Sequence, residues 1–298
     1  RLKGEGRYRE AARLQKQFDF SGNESCATDG LCAINCPVGI NTGKLIKELR
    51  TSEITPRAER MAAFVCRHFA GSVAMARHML NGVWYLNRVV PDSIMHFFAS
   101  GLHRLTGRRI PMWNRYLPKG APNLNYTSTA GLADDQLKVV YFPACINRIF
   151  GVSIDYLDKQ SVTEKTITLL KRANCAIIYP ESVKKLCCGM AFDSKGFKQQ
   201  GMVKLKELEK ALLEASENGK HPILCDMSPC LLRMQELMDK RLKLYEPVAF
   251  TLEYLKPRLR FRQVVDKVSF HSTCSNTKMG LEVRLEELAS LCAREIVN

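Results

Sequence analysis

No window of the 298-residue chain approaches the roughly 18 uninterrupted apolar residues that a membrane-spanning helix needs, so a transmembrane segment is not expected. The start, Arg1-Leu2-Lys3-Gly4, lacks both a Met and an apolar secretory core. We expect it to be a piece of a longer polypeptide. Glycine-rich phosphate loops and a G-x-G-x-x-G fingerprint are missing, which excludes the familiar nucleotide-binding turns. Nucleic-acid motifs are missing too, and nucleic acid is not an expected partner. Acidic residues number 30 against 45 Lys and Arg, so the chain is basic, yet no block of like charge forms a tail. A hydrophobic content of 46% excludes disorder as the main state, and the length corresponds to about two domains.

What the sequence does hold is twelve cysteines. That density is too low for a small secreted disulfide scaffold. Several lie at short spacings beside Gly and Pro, which points to metal or cluster ligation inside the cell.

Two rhythms divide the chain. Residues 7 to 17 read as a surface helix, making 1–20 a leading segment. Residues 21–110 read as all-helical, with at least two helices between Pro56 and Gly107 broken at Pro91. Residues 111–136, rich in Pro, Gly and turn formers, read as a linker. From 137 to 298 strand-like runs (Leu137 to Phe142, Cys175 to Tyr179, Pro222 to Cys225, Val264 to Phe270) alternate with helical stretches at 155–173, 197–217 and 229–241. Such alternation predicts an α/β layer with a mostly parallel sheet.

An internal repeat lies in this second part. Val139-Val140-Tyr141-Phe142-Pro143-Ala144-Cys145 is echoed by Lys267-Val268-Ser269-Phe270-His271-Ser272-Thr273-Cys274. Each copy then runs through a helix to a second cysteine, Cys175 or Cys292, before a short apolar strand. Cys187-Cys188-Gly189 follows Cys175 by 12 residues, and the same spacing after Cys292 passes Asn298. We therefore read 137–263 as a first repeat and 264–298 as a truncated second one.

The first cysteine constellation, Cys26-Ala27-Thr28-Asp29-Gly30-Leu31-Cys32-Ala33-Ile34-Asn35-Cys36-Pro37, is C-x2-D-x2-C-x3-C-P. It is one substitution away from the bacterial ferredoxin run, with Asp29 in the second cysteine's place. Short intervals with a glycine let the loop aim thiolates inward while its N–H groups point at sulfur. Asp29 makes the site either a [4Fe–4S] cluster with one oxygen ligand or a cluster lacking one iron.

The second constellation is Cys145, Cys187, Cys188 and Cys230. Cys145 lies past a strand end and Cys230 opens a helix after Ser228-Pro229, where the N-terminus favours a thiolate. Four such thiolates fit a four-cysteine zinc site or an iron–sulfur cluster, and spacing alone does not choose. Cys66, Cys175, Cys225 and Cys292 read as packing thiols.

Together these residues resemble a known family. Cys145, Cys187-Cys188-Gly189 and Cys230 are similar to the cysteine-rich CCG domain shared by heterodisulfide reductases, anaerobic glycerol-3-phosphate dehydrogenases and the iron–sulfur component of glycolate oxidase. The order of parts resembles the C-terminal portion of FAD-linked D-lactate dehydrogenases. The resemblance implies a helical ferredoxin-like domain followed by an α/β CCG domain. It implies ligands Cys26, Asp29, Cys32 and Cys36 for a 4Fe–4S cluster, and metal ligands Cys145, Cys187, Cys188 and Cys230, with Cys274 as the opening ligand of the partial repeat. It also implies FAD on an upstream domain, and electrons from a 2-hydroxy acid passing to a quinone or cytochrome. The chain would then be cytoplasmic, peripheral at the inner membrane at most, and would not turn over substrate by itself. Two departures stand out: where the fullest pattern ends in C-x2-C, this chain has Met227-Ser228-Pro229-Cys230, and the second Cys-Cys-Gly is missing, which leaves Cys274 without its expected partners. A structural zinc module that docks a partner is the rival reading.

The helical part interleaves Phe64, Phe69, Met75, Met79, Trp84, Phe97 and Phe98 with seven arginines. Such a surface suits an anionic membrane or an acidic electron-transfer partner. An ordinary core face backed by a solvated basic face is the expectation.

Overall fold

The computed structural model describes residues 4–107, 112–129, 136–153 and 155–297. The helices of the first part are α1 (Tyr8–Phe18), α2 (Cys32–Asn35), α3 (Thr42–Ser52), α4 (Pro56–Arg67), α5 (Phe69–Val89) and α6 (Asp92–Leu105). Thr55 caps α4 through its hydroxyl, with Pro56 at the first turn, where a missing N–H costs nothing. Pro91 separates α5 from α6 as the sequence predicts. A further break at His68 makes three helices of the 56–107 region.

The second part opens with β1 (Leu137–Phe142), α7 (Cys145–Ile149), α8 (Val162–Arg172) and β2 (Cys175–Ile178). It continues with α9 (Met190–Asp193), α10 (Lys198–Ala215), β3 (Ile223–Cys225), α11 (Ser228–Leu237), β4 (Leu244–Tyr245) and α12 (Pro247–Phe250). The helical stretch anticipated at 155–173 begins only at Val162, because Ser161 and Glu164 form a reciprocal capping box there. The two-residue β4 and the helical turns from Pro247 to Arg258 are too short to show a period in the sequence.

Strands β1 to β4 make one parallel sheet in the order β2-β1-β3-β4, with Leu137 opposite Cys175 and Val140 opposite Ile223. Successive side chains of β1 point to opposite faces. Val140 and Phe142 pack with Leu205, Leu208, Leu212 and Met234 on one face. Val139 and Tyr141 pack with Leu170, Ile177, Phe250 and Leu255 on the other. Covered on both faces, the sheet reads as a run of apolar residues rather than as an alternation.

The repeat is structural as well as sequential. Strands β5 (Val265–Val268) and β6 (Ala293–Ile296) pair in parallel, joined through α13 (Cys274–Lys278) and α14 (Glu282–Ser290). In both copies a cysteine opens a short helix just beyond the first strand. The second copy forms its own two-stranded sheet, with largely exposed strands. Cys292 is accordingly half-buried rather than a core thiol, whereas Cys66, Cys175 and Cys225 are buried.

Two expectations change. The 112–129 stretch, read as linker, is hydrogen-bonded on two sides: to the Ile149–Val152 loop, with Gly120 bridged to Phe150, and to the edge strand β2 through Ser128 and Thr129. Residues 130–135 lie outside the described residues. The apolar residues of the helical part are mostly not a core face. Among the described residues Ile46 buries in α3, and Ala62, Cys66, Phe69 and Val73 bury against Cys187 and Phe192 of the α/β part. Phe64, Met75, Met79, Phe97 and Phe98 stand exposed, and α6 buries no residue. No helix among the described residues is long and apolar enough to cross a membrane.

Candidate metal centres

The CCG thiols converge at the carboxyl ends of β1 and β3. Cys145 follows β1 at the first residue of α7, and Cys230 sits in the first turn of α11. Asp226, just past β3, ties these strand ends together. It accepts hydrogen bonds from the Tyr141 hydroxyl and the Ala144 N–H, both at 2.7 Å. Cys187 and Cys188 occupy the turn before α9. Gly189 makes that turn feasible: its φ is +79°, and a Cβ there would stand 2.1 Å from the Gly201 carbonyl oxygen. The Gly189 N–H points back at the Cys187 sulfur, 3.3 Å away.

The result is a continuous row of thiols. Cys145 and Cys187 sulfurs are 3.8 Å apart, and Cys188 lies within electrostatic reach of both Cys187 and Cys230. Cys187, Cys188 and Cys230 are 0%, 1% and 7% exposed, so the row lies in a low-dielectric setting. The bond to Cys187, and then burial, push the Cys145 thiol up. For Cys187 the bond from Cys145 works downward, but the Cys188 thiol and burial outweigh it and leave the thiol at about 12. Cys188 and Cys230 are raised in the same way: the Cys187 thiol and the Met190 N–H work downward on Cys188, and the Cys188 thiol on Cys230, but the other neighbouring thiols and burial override them. Cys225, fully buried, is raised by burial and then by Asp226, and it is near enough to feel Cys188 and Cys145. Sequence reading set Cys225 aside as packing. The structure brings it beside the row that Met227 leaves one thiol short, and its position at a strand's carboxyl end was the available signal.

Buried cations surround these thiols. Arg148, one turn after Cys145, is 4% exposed; it donates to the carbonyls of Val183 and Leu186, and its Nε has no partner. Among the described residues no carboxylate lies within ion-pair distance of it. Arg233, 5% exposed, donates to the Cys188 carbonyl at 3.0 Å and pairs with Asp193 at 2.9 Å. Arg148 feels the buried Asp226 carboxyl only beyond ion-pair distance, and thiolates held by a metal would supply further negative charge beside it.

The first constellation is built differently. Cys26, Asp29, Cys32 and Cys36 lie on the loop from residue 26 to α3, near the surface; Cys32 is exposed. Here N–H groups turn towards sulfur. Thr28 N–H approaches the Cys26 sulfur at 3.4 Å. The Thr42 hydroxyl, 3.0 Å from Cys32, and the N–H groups of Gly43 and Thr42 lower the Cys32 thiol. Those of Ile40 and Val38 lower Cys36. Gly43 has backbone of Thr28 at 3.1 Å from where a Cβ would sit, so a side chain there would push the cradle apart by a few tenths of an ångström. The Leu31 N–H, bonded at 3.0 Å, keeps the Asp29 carboxyl below the ordinary range, helped by the thiol of Cys274.

Cys274, expected as the opening ligand of the second repeat, thus meets the first constellation rather than the CCG row. Lys278, one turn on, donates to the Asp29 carbonyl at 3.3 Å. A cavity of about 750 Å³ lies between the two constellations, bordered by Asp29, Lys44, Arg233 and Cys274. The constellations are joined by charge. Lys47 of α3 pairs with Asp193 at 2.7 Å, and Asp193 also holds Arg233, which grips the Cys188 carbonyl.

Among the described residues no three His, Cys, Asp or Glu side chains are gathered to the spacing of a single bound ion. A cluster, which takes each thiolate on a different iron, does not require that spacing. Scans against protein-family models, curated proteins and solved structures each found no match.

Proposed function

We propose that this chain is the iron–sulfur electron-transfer portion of a flavin-dependent 2-hydroxy-acid dehydrogenase of the D-lactate type. In this reading a helical ferredoxin-like part precedes an α/β CCG part with a partial second repeat. The observation that carries it is the buried row Cys145, Cys187, Cys188 and Cys230 beside the buried Arg148, which has no carboxylate within ion-pair distance among the described residues. Four thiols this close together repel one another as free thiolates, whereas four thiolates around a metal group would balance the buried cations. A cluster would supply one-electron transfer at a potential set by burial and by hydrogen bonds to sulfur. Cys145, Cys187, Cys188 and Cys230 would hold one centre, and Cys26, Cys32 and Cys36 with Asp29 the other. The residues of the chain fix the thiols, exclude water from the CCG row and aim N–H groups at both sets. FAD, the hydroxy acid and the quinone or cytochrome acceptor belong to the parent reading, with the flavin on another domain.

A zinc-stabilised docking module is the second reading, favoured by one distance. Thiolates about 2.3 Å from a tetrahedral zinc ion stand about 3.8 Å apart, and the Cys145–Cys187 separation is 3.8 Å.

Metal analysis and electron paramagnetic resonance on anaerobically purified, dithionite-reduced protein separate the two. Iron with a cluster signal is expected. Stoichiometric zinc with a silent spectrum would overturn the redox reading for the CCG row. With two independent centres, Cys32→Ser removes one signal and spares the other.

A further inference from the structure

Helix α5 is inverted with respect to an ordinary surface helix. Met75, Met79, Gly82, Leu86 and Val89 recur at helical spacing on one side, and all five are exposed. Arg77, Asn81, Trp84 and Arg88 recur on the opposite side, facing the segments around Lys119–Asn123 and Gly151–Ser153 across a cavity of about 630 Å³. Lys119 and Lys159 border the same cavity.

Each of the four cations is held in place by a neutral group. Arg88 lies 3.8 Å and Lys119 4.9 Å from the Trp84 ring centre. Arg77 donates to the Asn123 side-chain oxygen at 3.3 Å, and Lys159 to the Tyr156 carbonyl at 2.9 Å. Among the described residues none of the four has a carboxylate within ion-pair distance. Glu164, the one acid on the wall, is committed to capping α8 through Ser161. The floor is closed tightly: a Cβ on Gly120 would stand 2.3 Å from the Arg77 carbonyl oxygen, and one on Gly151 would stand 2.9 Å from that of Gly120.

Cations that are orientated but not neutralised, converging on one cavity, make a preformed anion site. Two arginines present planar forks suited to phosphoryl oxygens, and a single carboxylate would leave most of the charge uncompensated. The volume falls within the range of small-molecule sites, well above that of an inorganic ion. We propose that the cavity between α5 and the 119–123 and 151–153 segments binds an organic phosphate, gripped by Arg77, Arg88, Lys119 and Lys159 beside Trp84. This site uses side chains in place of a glycine-rich loop, so no nucleotide fingerprint marks it. The phosphate belongs either to a free small molecule or to a lipid headgroup, and the probes below separate the two sources.

Titration of the full chain carrying Trp113→Phe, followed by fluorescence of Trp84, tests the proposal with three probes. They are adenosine diphosphate, inorganic pyrophosphate, and phosphatidylglycerol vesicles set against phosphatidylcholine ones. The expected result is saturable binding to the phosphate compounds, or to phosphatidylglycerol vesicles alone if the source is a headgroup. Arg77→Gln with Arg88→Gln should weaken it at least about tenfold, the loss of two charge-assisted contacts. The exposed pair Arg13→Gln with Lys206→Gln, which removes the same charge elsewhere, should leave it unchanged. Lys119→Gln, at an exposed position, gives an independent reading should the double variant fold poorly. Absence of saturable binding to every probe, or equal weakening by the distant pair, would overturn the proposal.

Discussion

Gly189 carries more of the CCG site than its size suggests. A side chain there meets the Gly201 carbonyl and must also adopt a left-handed backbone. Gly189→Ala should cost about 1–3 kcal/mol or more in chemical denaturation and lower the metal content of the purified protein in parallel. Cys187 offers a pH test. Its thiol is raised from 9.0 to about 12 in the metal-free fold. The unfolded chain therefore ionises first, so the stabilisation is complete below about pH 9 and is lost as pH rises towards 12. Denaturation of metal-free protein should show stability falling across that window, by up to about 1.4 kcal/mol per pH unit for one thiol. Thiolate absorbance near neutral pH should report Cys187 as protonated. A flat profile between pH 9 and 12 would contradict this assignment.

At the scale of elements, the helical part divides into an anchored and an unanchored half. Phe69 at the start of α5 is buried against Phe192, with ring centres 6.2 Å apart, while Phe97 and Phe98 of α6 stand 75% and 69% exposed. Phe69→Ala should destabilise by about 3–5 kcal/mol, and Phe97→Ala should stay within about 0.5 kcal/mol, both read from urea midpoints. Helix α8 depends on its start. Its capping box satisfies the Glu164 and Ser161 N–H groups reciprocally. Ser161→Ala should therefore cost about 1 kcal/mol of global stability, because α8 is the crossover that holds β1 and β2 in parallel register.

Across the whole molecule, the path from Lys47 through Asp193 and Arg233 to the Cys188 carbonyl makes the two constellations mechanically continuous. Removing the central carboxylate leaves Arg233 buried and unpaired. Asp193→Asn should cost about 3–5 kcal/mol. It should also disturb both sets of thiols at once, which alkylation of individual cysteines followed by mass spectrometry would show. Modification confined to the CCG row would mean that the sites are independent.

The alternation of apolar runs and helical stretches was enough to place β1, β2 and β3 and the crossover helices, because burial on both faces leaves a continuous apolar signature, while the exposed β5 was legible through its likeness to β1. Two repeats and two cysteine groups were equally legible, since the turn chemistry of Gly30, Gly189 and Pro37 is local. Which thiols meet was not. Cys225 joins the neighbourhood of Cys188, and Cys274 meets Asp29, through contacts between distant segments that no spacing encodes. Nor could periodicity tell an inward stripe from an outward one: α5 has a clear apolar face beyond Val73, and only its packing against Gly120 and α7 turned that face to solvent and Arg77 and Trp84 towards the 119–123 segment. Residue order set the local elements, their caps and the donor types. Long-range packing decided which donors share a space and which charges lack a partner, because Coulomb and burial energies depend on distances the chain sets only when folded.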